Sequence, residues 1–168
     1  MPLNGGFRPT TPIIMPTDLE WMGMALEEAR LAMKAGEAPV GAVVVHAGEI
    51  VGRGRNRVEG LADATAHAEM LALRQASMNL GRWRLSGCAL YVTLEPCAMC
   101  LGACYAARVD RLVYGAPSPK FGALGSAVEL AGAEKLNHRL EVVPGVLTRE
   151  CAELMERFFS RMRRRKNV

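Results

Sequence analysis

The sequence predicts a three-layer α/β domain, with helices on both faces of a central mixed sheet of about five strands. Three observations predict it. The chain has 168 residues, half of them apolar, enough for one domain with its own core. Two short β-branched runs joined at a glycine read as an opening hairpin. After that hairpin, strand-length and helix-length stretches alternate, with no internal repeat or low-complexity tract.

Taken in order, residues 1–16 contain prolines and two adjacent glycines and show little periodicity. They read as a flexible extension, with the domain spanning residues 17–168. Thr17-Asp18-Leu19-Glu20 has the form of a capping box and predicts a helix start. Trp21, Met24, Ala25, Leu31 and Ala32 share its apolar face, and Gly36 stops it. Val40–His46 and Ile50–Arg55 are the hairpin strands, turning around Gly48. A polar loop then leads to Thr65, read as the cap of a helix that carries His67 and Glu69 towards Gly81. Cys88–Leu94 is the third strand. Pro96 ends it, and a helix begins near Cys97. Arg111–Tyr114 is a short strand, residues 115–126 a glycine- and proline-rich loop, and Ala127–Leu136 a short helix. Leu140–Val143 is the last strand. The final helix, about Arg149–Arg165, sets Leu154, Phe158 and Met162 on one side.

Composition narrows the setting. No apolar run approaches a membrane span. The first residues lack the basic region and continuous apolar stretch of a signal peptide, so the expected location is the cytoplasm, with no membrane partner. The five cysteines, an odd number without an export signal, argue against a disulfide framework and leave thiols free to hold metal. Net charge is +4, and five of the 21 basic residues fall together in Arg161-Met162-Arg163-Arg164-Arg165-Lys166. Such a tail suits a polyanion, or merely complements the dipole at a helix end.

The stretch from Thr65 to Cys100 carries the chemistry. His67, Cys97 and Cys100 are good zinc ligands. One imidazole and two thiolates leave a fourth tetrahedral position open, as in a catalytic rather than a structural site. Glu69 is not needed as a ligand and is placed to move protons beside the metal. Both ligand groups fall at expected helix N-termini, where partial positive charge favours thiolates. Cys97 and Cys100, three apart, share a helical face. Cys104 could close the site as a fourth ligand, but reads better as a small buried apolar residue, as do Cys88 and Cys151.

The His-x-Glu and Pro-Cys-x-x-Cys pattern resembles the zinc-dependent deaminases of the cytidine deaminase superfamily. Within it, the chain is most similar to the bacterial tRNA adenosine deaminases that act at the anticodon wobble position. The resemblance covers about residues 18–165. It rests on Ala38-Pro39-Val40-Gly41-Ala42-Val43, Asn56-Arg57, Asp63–Glu69, Leu90–Cys97, Gly122-Ala123-Leu124-Gly125-Ser126, Asn137-His138-Arg139, and Phe158-Phe159 followed by Arg163.

The resemblance implies a cytidine-deaminase-like fold and one Zn²⁺ held by His67, Cys97 and Cys100. It implies a homodimer, with a tRNA anticodon stem-loop as substrate. Glu69 would pass the proton of the attacking water to N1 of adenine, and would then protonate the departing ammonia. Asn56 would hydrogen-bond the purine, while Pro39, Val40 and Leu94 wall the pocket. Ser118 and Lys120 would lie over neighbouring nucleotides, and Phe159 and Arg163 would serve the nucleic acid. In one respect the chain departs from the family: Ser118 stands where an acidic residue is usual, which predicts a weaker preference for ribose. Two other functions remain open on these residues. One is deamination of a small molecule such as guanine, cytosine or a free nucleotide. The other is a non-catalytic, zinc-stabilised module that binds nucleic acid.

Overall fold

A computed structural model describes residues 13–131 and 136–166. Most of the expected extension, residues 1–12, lies outside the described residues. Five strands form one sheet in the order β2-β1-β3-β4-β5. They are β1 (Gly41–His46), β2 (Glu49–Arg55), β3 (Cys88–Leu94), β4 (Arg111–Ala116) and β5 (Glu141–Val143). β1 is antiparallel to both β2 and β3, whereas β3, β4 and β5 run parallel, so the sheet is mixed. Ala47 and Gly48 form the two-residue hairpin turn, both with positive φ, which suits the right-handed strand twist.

Two helices cover each face. α1 (Pro16–Lys34) and α5 (Thr148–Lys166) pack on Val43, Val45, Tyr91, Val113 and Val143. The helices α3 (Ala68–Leu80) and α4 (Ala98–Ala106) pack on Val44, Leu90, Val92 and Leu112. Alternate residues of β1 and β3 thus feed opposite cores, as the pleat requires. A single turn of helix, α2 (Val58–Leu61), interrupts the polar loop before α3.

Four expectations are corrected. The cap of α1 is Met15, not Thr17: its N–H donates to the Asp18 carboxylate at 2.7 Å while the Asp18 N–H donates back to the Met15 carbonyl. The buried face of α1 is Met22, Ala25, Leu26, Ala29 and Ala32, and Leu31 is exposed. Thr65 is not the cap of α3; it donates to Asp63 in a local turn, and His67 is itself the N-cap residue. Residues 127–131 form turn and bridge rather than helix, with Leu124 pairing with Glu129, while residues 132–135 lie outside the described residues.

Asp18 shows why α1 begins where it does. It is fully buried and accepts from both Arg111 Nη atoms, at 2.6 and 3.0 Å, and from the Tyr91 hydroxyl at 2.9 Å. Burial alone would raise the Asp18 carboxyl, but Arg111, the Met15 N–H and Tyr91 outweigh it and hold the carboxyl below its ordinary value. Asp18→Asn is expected to cost about 3 kcal/mol, because it strands the Arg111 guanidinium without its buried partner. A carboxyl held low in the folded state stabilises above its unfolded pKa of about 4, and this contribution fades as pH falls. Denaturant unfolding should therefore show a wide gap between native protein and variant at about pH 7, and a narrower one at about pH 3.5.

Candidate active site and metal centre

Strand register brings the expected residues to one end of the sheet. Gly41 at the start of β1 pairs with Arg55 at the end of β2. Ala42 pairs with Val92, so β3 ends beside the start of β1, and the Gly41 N–H donates to Thr93 Oγ1. Leu94 pairs with Ala116 at the end of β4. Pro39 and Val40 precede β1, Asn56 follows β2, Leu94 closes β3, and the loop bearing Ser118 and Lys120 follows β4. All therefore stand at the carboxyl end of the parallel strands, where α/β sheets bind ligands. Asn56 is tied in directly, its N–H donating to the Val40 carbonyl at 3.0 Å.

Two helix starts deliver the chemistry to that end. α3 lies unusually close to β2, because side chains at Gly52 and Gly54 would collide with the α3 backbone at Ala72 and Ala68. That contact sets His67, the N-cap residue, and Glu69, in the first turn, against the sheet. Cys97 is the N-cap residue of α4, and Cys100 lies in its first turn. His67 Nδ1 is 3.7 Å from Cys97 Sγ and 3.5 Å from Cys100 Sγ. The three ligand atoms all lie within 4.8 Å of one another, the only such group among the described residues. One imidazole nitrogen and two sulfurs form a donor set for a soft or borderline divalent metal, with room for a further ligand. Cys104 is fully buried in the α3–α4 core and stands outside the group.

The electrostatics suit a metal and a proton carrier. The Cys100 thiol, followed by His67, lowers Cys97 to about 3, so it is a thiolate at neutral pH. Cys100 is raised, first by that neighbouring thiolate and then by burial. The pair thus carries one negative charge until a cation replaces the shared proton. Glu69 is only 4% exposed, and burial pushes its carboxyl up to about 7. A carboxyl poised there can take and give protons near neutral pH.

Two functional acids were passed over in the sequence. Glu37, buried, accepts from Asn56 Nδ2 at 3.2 Å and from the Gly60 N–H at 2.6 Å, so it orients the Asn56 amide. Glu95, 2% exposed, accepts the N–H groups of Ser118 (3.0 Å), Leu124 (2.9 Å) and Ser126 (3.2 Å), and the Ser126 hydroxyl. It thus pins the loop of residues 117–126. Gly122 leaves the space that the Glu95 carboxylate fills, and pairs with Cys97 in a single antiparallel bridge. An acid placed between a strand and a Pro-Cys pair, followed by a loop rich in free N–H groups, is the signal that could have found it.

Not every expected residue joins the site. Ser118 is 8% exposed, its backbone facing Glu95, while Lys120 is exposed on the same loop. Phe159 and Arg163 lie on α5, on the other face of the sheet from α3 and α4. Phe159 meets Phe158 edge-on, and Arg163 donates to Ser160, both contacts within α5. His138 contacts the Val109 carbonyl at 2.6 Å and the Tyr105 ring edge-on.

Residues 17–163 match the MafB19-like deaminase family. The tRNA-specific adenosine deaminase of Bacillus subtilis (strain 168) is 46% identical over 154 residues, covering 92% of this chain and 96% of its own. A solved structure from a study of A-to-I editing by tRNA:A34 deaminases is 45% identical with a TM-score of 0.77, covering 80% of this chain and 98% of its own. A guanine deaminase from Nitrosomonas europaea is 28% identical with a TM-score of 0.75, covering 91% and 93%. With its family match over residues 17–163 and 46% identity across nearly the whole length of a tRNA-specific adenosine deaminase, the chain belongs to the MafB19-like deaminases and to the tRNA-specific adenosine deaminase family.

Proposed function

We propose that this protein deaminates adenosine to inosine at the wobble position of a tRNA anticodon, hydrolytically, with Zn²⁺ held by His67, Cys97 and Cys100. The observation that carries the reading is the three-donor cluster beside buried Glu69, in a chain 46% identical to a tRNA-specific adenosine deaminase. Incubating the zinc-loaded protein with total tRNA, and separately with free adenosine, guanine and cytosine, tests it. Inosine should appear at the wobble position. Conversion of guanine alone would overturn the reading in favour of a small-molecule enzyme.

The bound metal supplies Lewis acidity, which makes a water nucleophilic near neutral pH. The remaining work belongs to the chain. Glu69 takes a proton from the attacking water and delivers it to adenine N1. It then takes the remaining proton from the new C6 hydroxyl and gives it to the amino group, which leaves as ammonia as the C6 carbonyl forms, so one water is consumed and inosine results. Asn56, held by Glu37 through one amide hydrogen, keeps its other hydrogen and its oxygen for the purine. Pro39, Val40 and Leu94 wall the base. The base must leave its stack, which a single-stranded anticodon loop allows at small cost.

Zinc content offers a separate check. About one zinc per chain is expected, retained in Cys104→Ala and lost in Cys100→Ala, read by elemental analysis after dialysis. The opposite pattern would reassign the ligands.

The exposed arginines at the end of α5, including Arg163, are proposed to meet tRNA phosphates away from the target. Phe159 is proposed to contact the same RNA. A homodimer through α4 is part of the reading. Ala98, Met99, Gly102 and Ala106 of α4 are exposed; Ala98, Gly102 and Ala106 line a shallow apolar cavity of about 440 Å³, and Ala106 also borders a second of about 450 Å³. Among the described residues no helix is long and apolar enough to cross a membrane, and action on tRNA supports a cytoplasmic setting.

A further inference from the structure

We infer that Phe121 is a stacking platform for a base next to the target in the single-stranded substrate. The ring is 72% exposed although it is large and apolar. A single exposed apolar side chain needs no partner by itself, but a flat ring held out on a tied backbone beside the site offers a face on which a base can stack. Its position relative to the site is fixed by its neighbours. Gly122, the next residue, pairs with Cys97, one of the three cluster residues. The Ala123 N–H donates to the Pro96 carbonyl at 2.8 Å. On the other side, the Gly122 N–H closes a turn onto the Ser118 carbonyl at 2.8 Å, and the Ser118 N–H is held by Glu95.

The loop therefore presents the ring from a backbone that is tied down before and after it. Little ordering is needed to use it, which is what favours aromatic anchors in recognition. Lys120, exposed and adjacent, supplies a cation for the phosphate beside a stacked base. The chemistry that fits this combination is a nucleobase with its phosphate, because every base has a flat face and stacking tolerates any of the four. Two other exposed aromatics among the described residues sit elsewhere: Trp83 beyond the end of α3 under the Arg84 guanidinium, and Phe159 on α5.

This inference rests on the reading of the site as a tRNA adenosine deaminase, and the test separates the two. An anticodon hairpin with adenosine at the wobble position is deaminated by the zinc-loaded native protein, by Phe121→Ala and by Phe121→Trp. The same hairpin carrying one abasic nucleotide, on either side of the target, is assayed in parallel. Phe121→Ala should raise KM about ten- to hundredfold with little change in kcat, and Phe121→Trp should keep the native KM. An abasic neighbour on one side should cost the native protein a similar factor in KM and cost Phe121→Ala almost nothing more. Melting temperature and sedimentation should match across the three proteins. Native protein inactive on the intact hairpin would overturn the functional reading and this inference with it. An active native protein with unchanged KM in Phe121→Ala would overturn the inference alone. So would losses that simply multiply at both neighbours, or a variant that falls apart into monomers.

Discussion

Replacing Glu69 with glutamine is expected to leave the zinc in place and lower turnover about 10⁴-fold. General acid–base catalysis contributes roughly 10²- to 10⁴-fold per positioned group. Glu69 is assigned both proton deliveries, to N1 and to the departing ammonia, so the upper end applies. Glutamine fills the same buried space and is neutral, so no cavity opens in the first turn of α3. The three metal donors lie on His67, Cys97 and Cys100, and none is altered. KM for the anticodon hairpin should move little, because the purine is held by other residues. The check is inosine formation under single-turnover conditions, with zinc content and melting temperature measured on the same sample. Turnover within tenfold of native would remove Glu69 from the proton path.

Much of this site was legible because its chemistry needs particular residue types at fixed junctions. His67 and Cys97 fall at helix starts, and Pro96 marks one of them without any structure. Sheet order was legible only in part: the hairpin and the β3–α4–β4 unit are local, and β-branched runs mark their strands. The register that gathers Val40, Asn56, Leu94 and Ser118 at one end is a long-range outcome of pairing, which periodicity does not contain. Cap assignment failed at Thr17 because the Asp18 carboxylate is drawn into the buried Arg111 pair, 93 residues away. Segment 127–131 was misread because its alanine and leucine favour helix, whereas the pinned loop before it sets Leu124 against Glu129. Glu37 and Glu95 were missed because a buried acid is recognisable only by the backbone donors that surround it, and those come from distant loops.

Glu95→Ala is expected to lower kcat/KM for the hairpin about 10²-fold, a loss of the size that follows displacement of a positioning element by about 1 Å. Its carboxylate holds three backbone N–H groups and a hydroxyl, and with alanine those buried donors lose their acceptor. Leaving them unsatisfied should cost about 3 kcal/mol, or roughly 6–12 °C in melting temperature for a domain of this size. Glutamine should fall between native and alanine: it keeps one acceptor oxygen but turns an NH₂ group towards N–H donors. Burial would raise the Glu95 carboxyl, but Ser126, Ser118 and Leu124 outweigh it and hold the carboxyl below its ordinary value. Its stabilisation is therefore present above the unfolded pKa of about 4.3 and is lost as pH falls. The melting difference between native protein and Glu95→Gln should shrink in acid accordingly. Cys97 stays on its helix start in these variants, so zinc content should hold while the loop bearing Ser118, Lys120 and Phe121 loosens. Calorimetry of the zinc-loaded proteins and hairpin kinetics read both effects. Native melting together with kcat/KM within threefold would show that the loop keeps its place without Glu95.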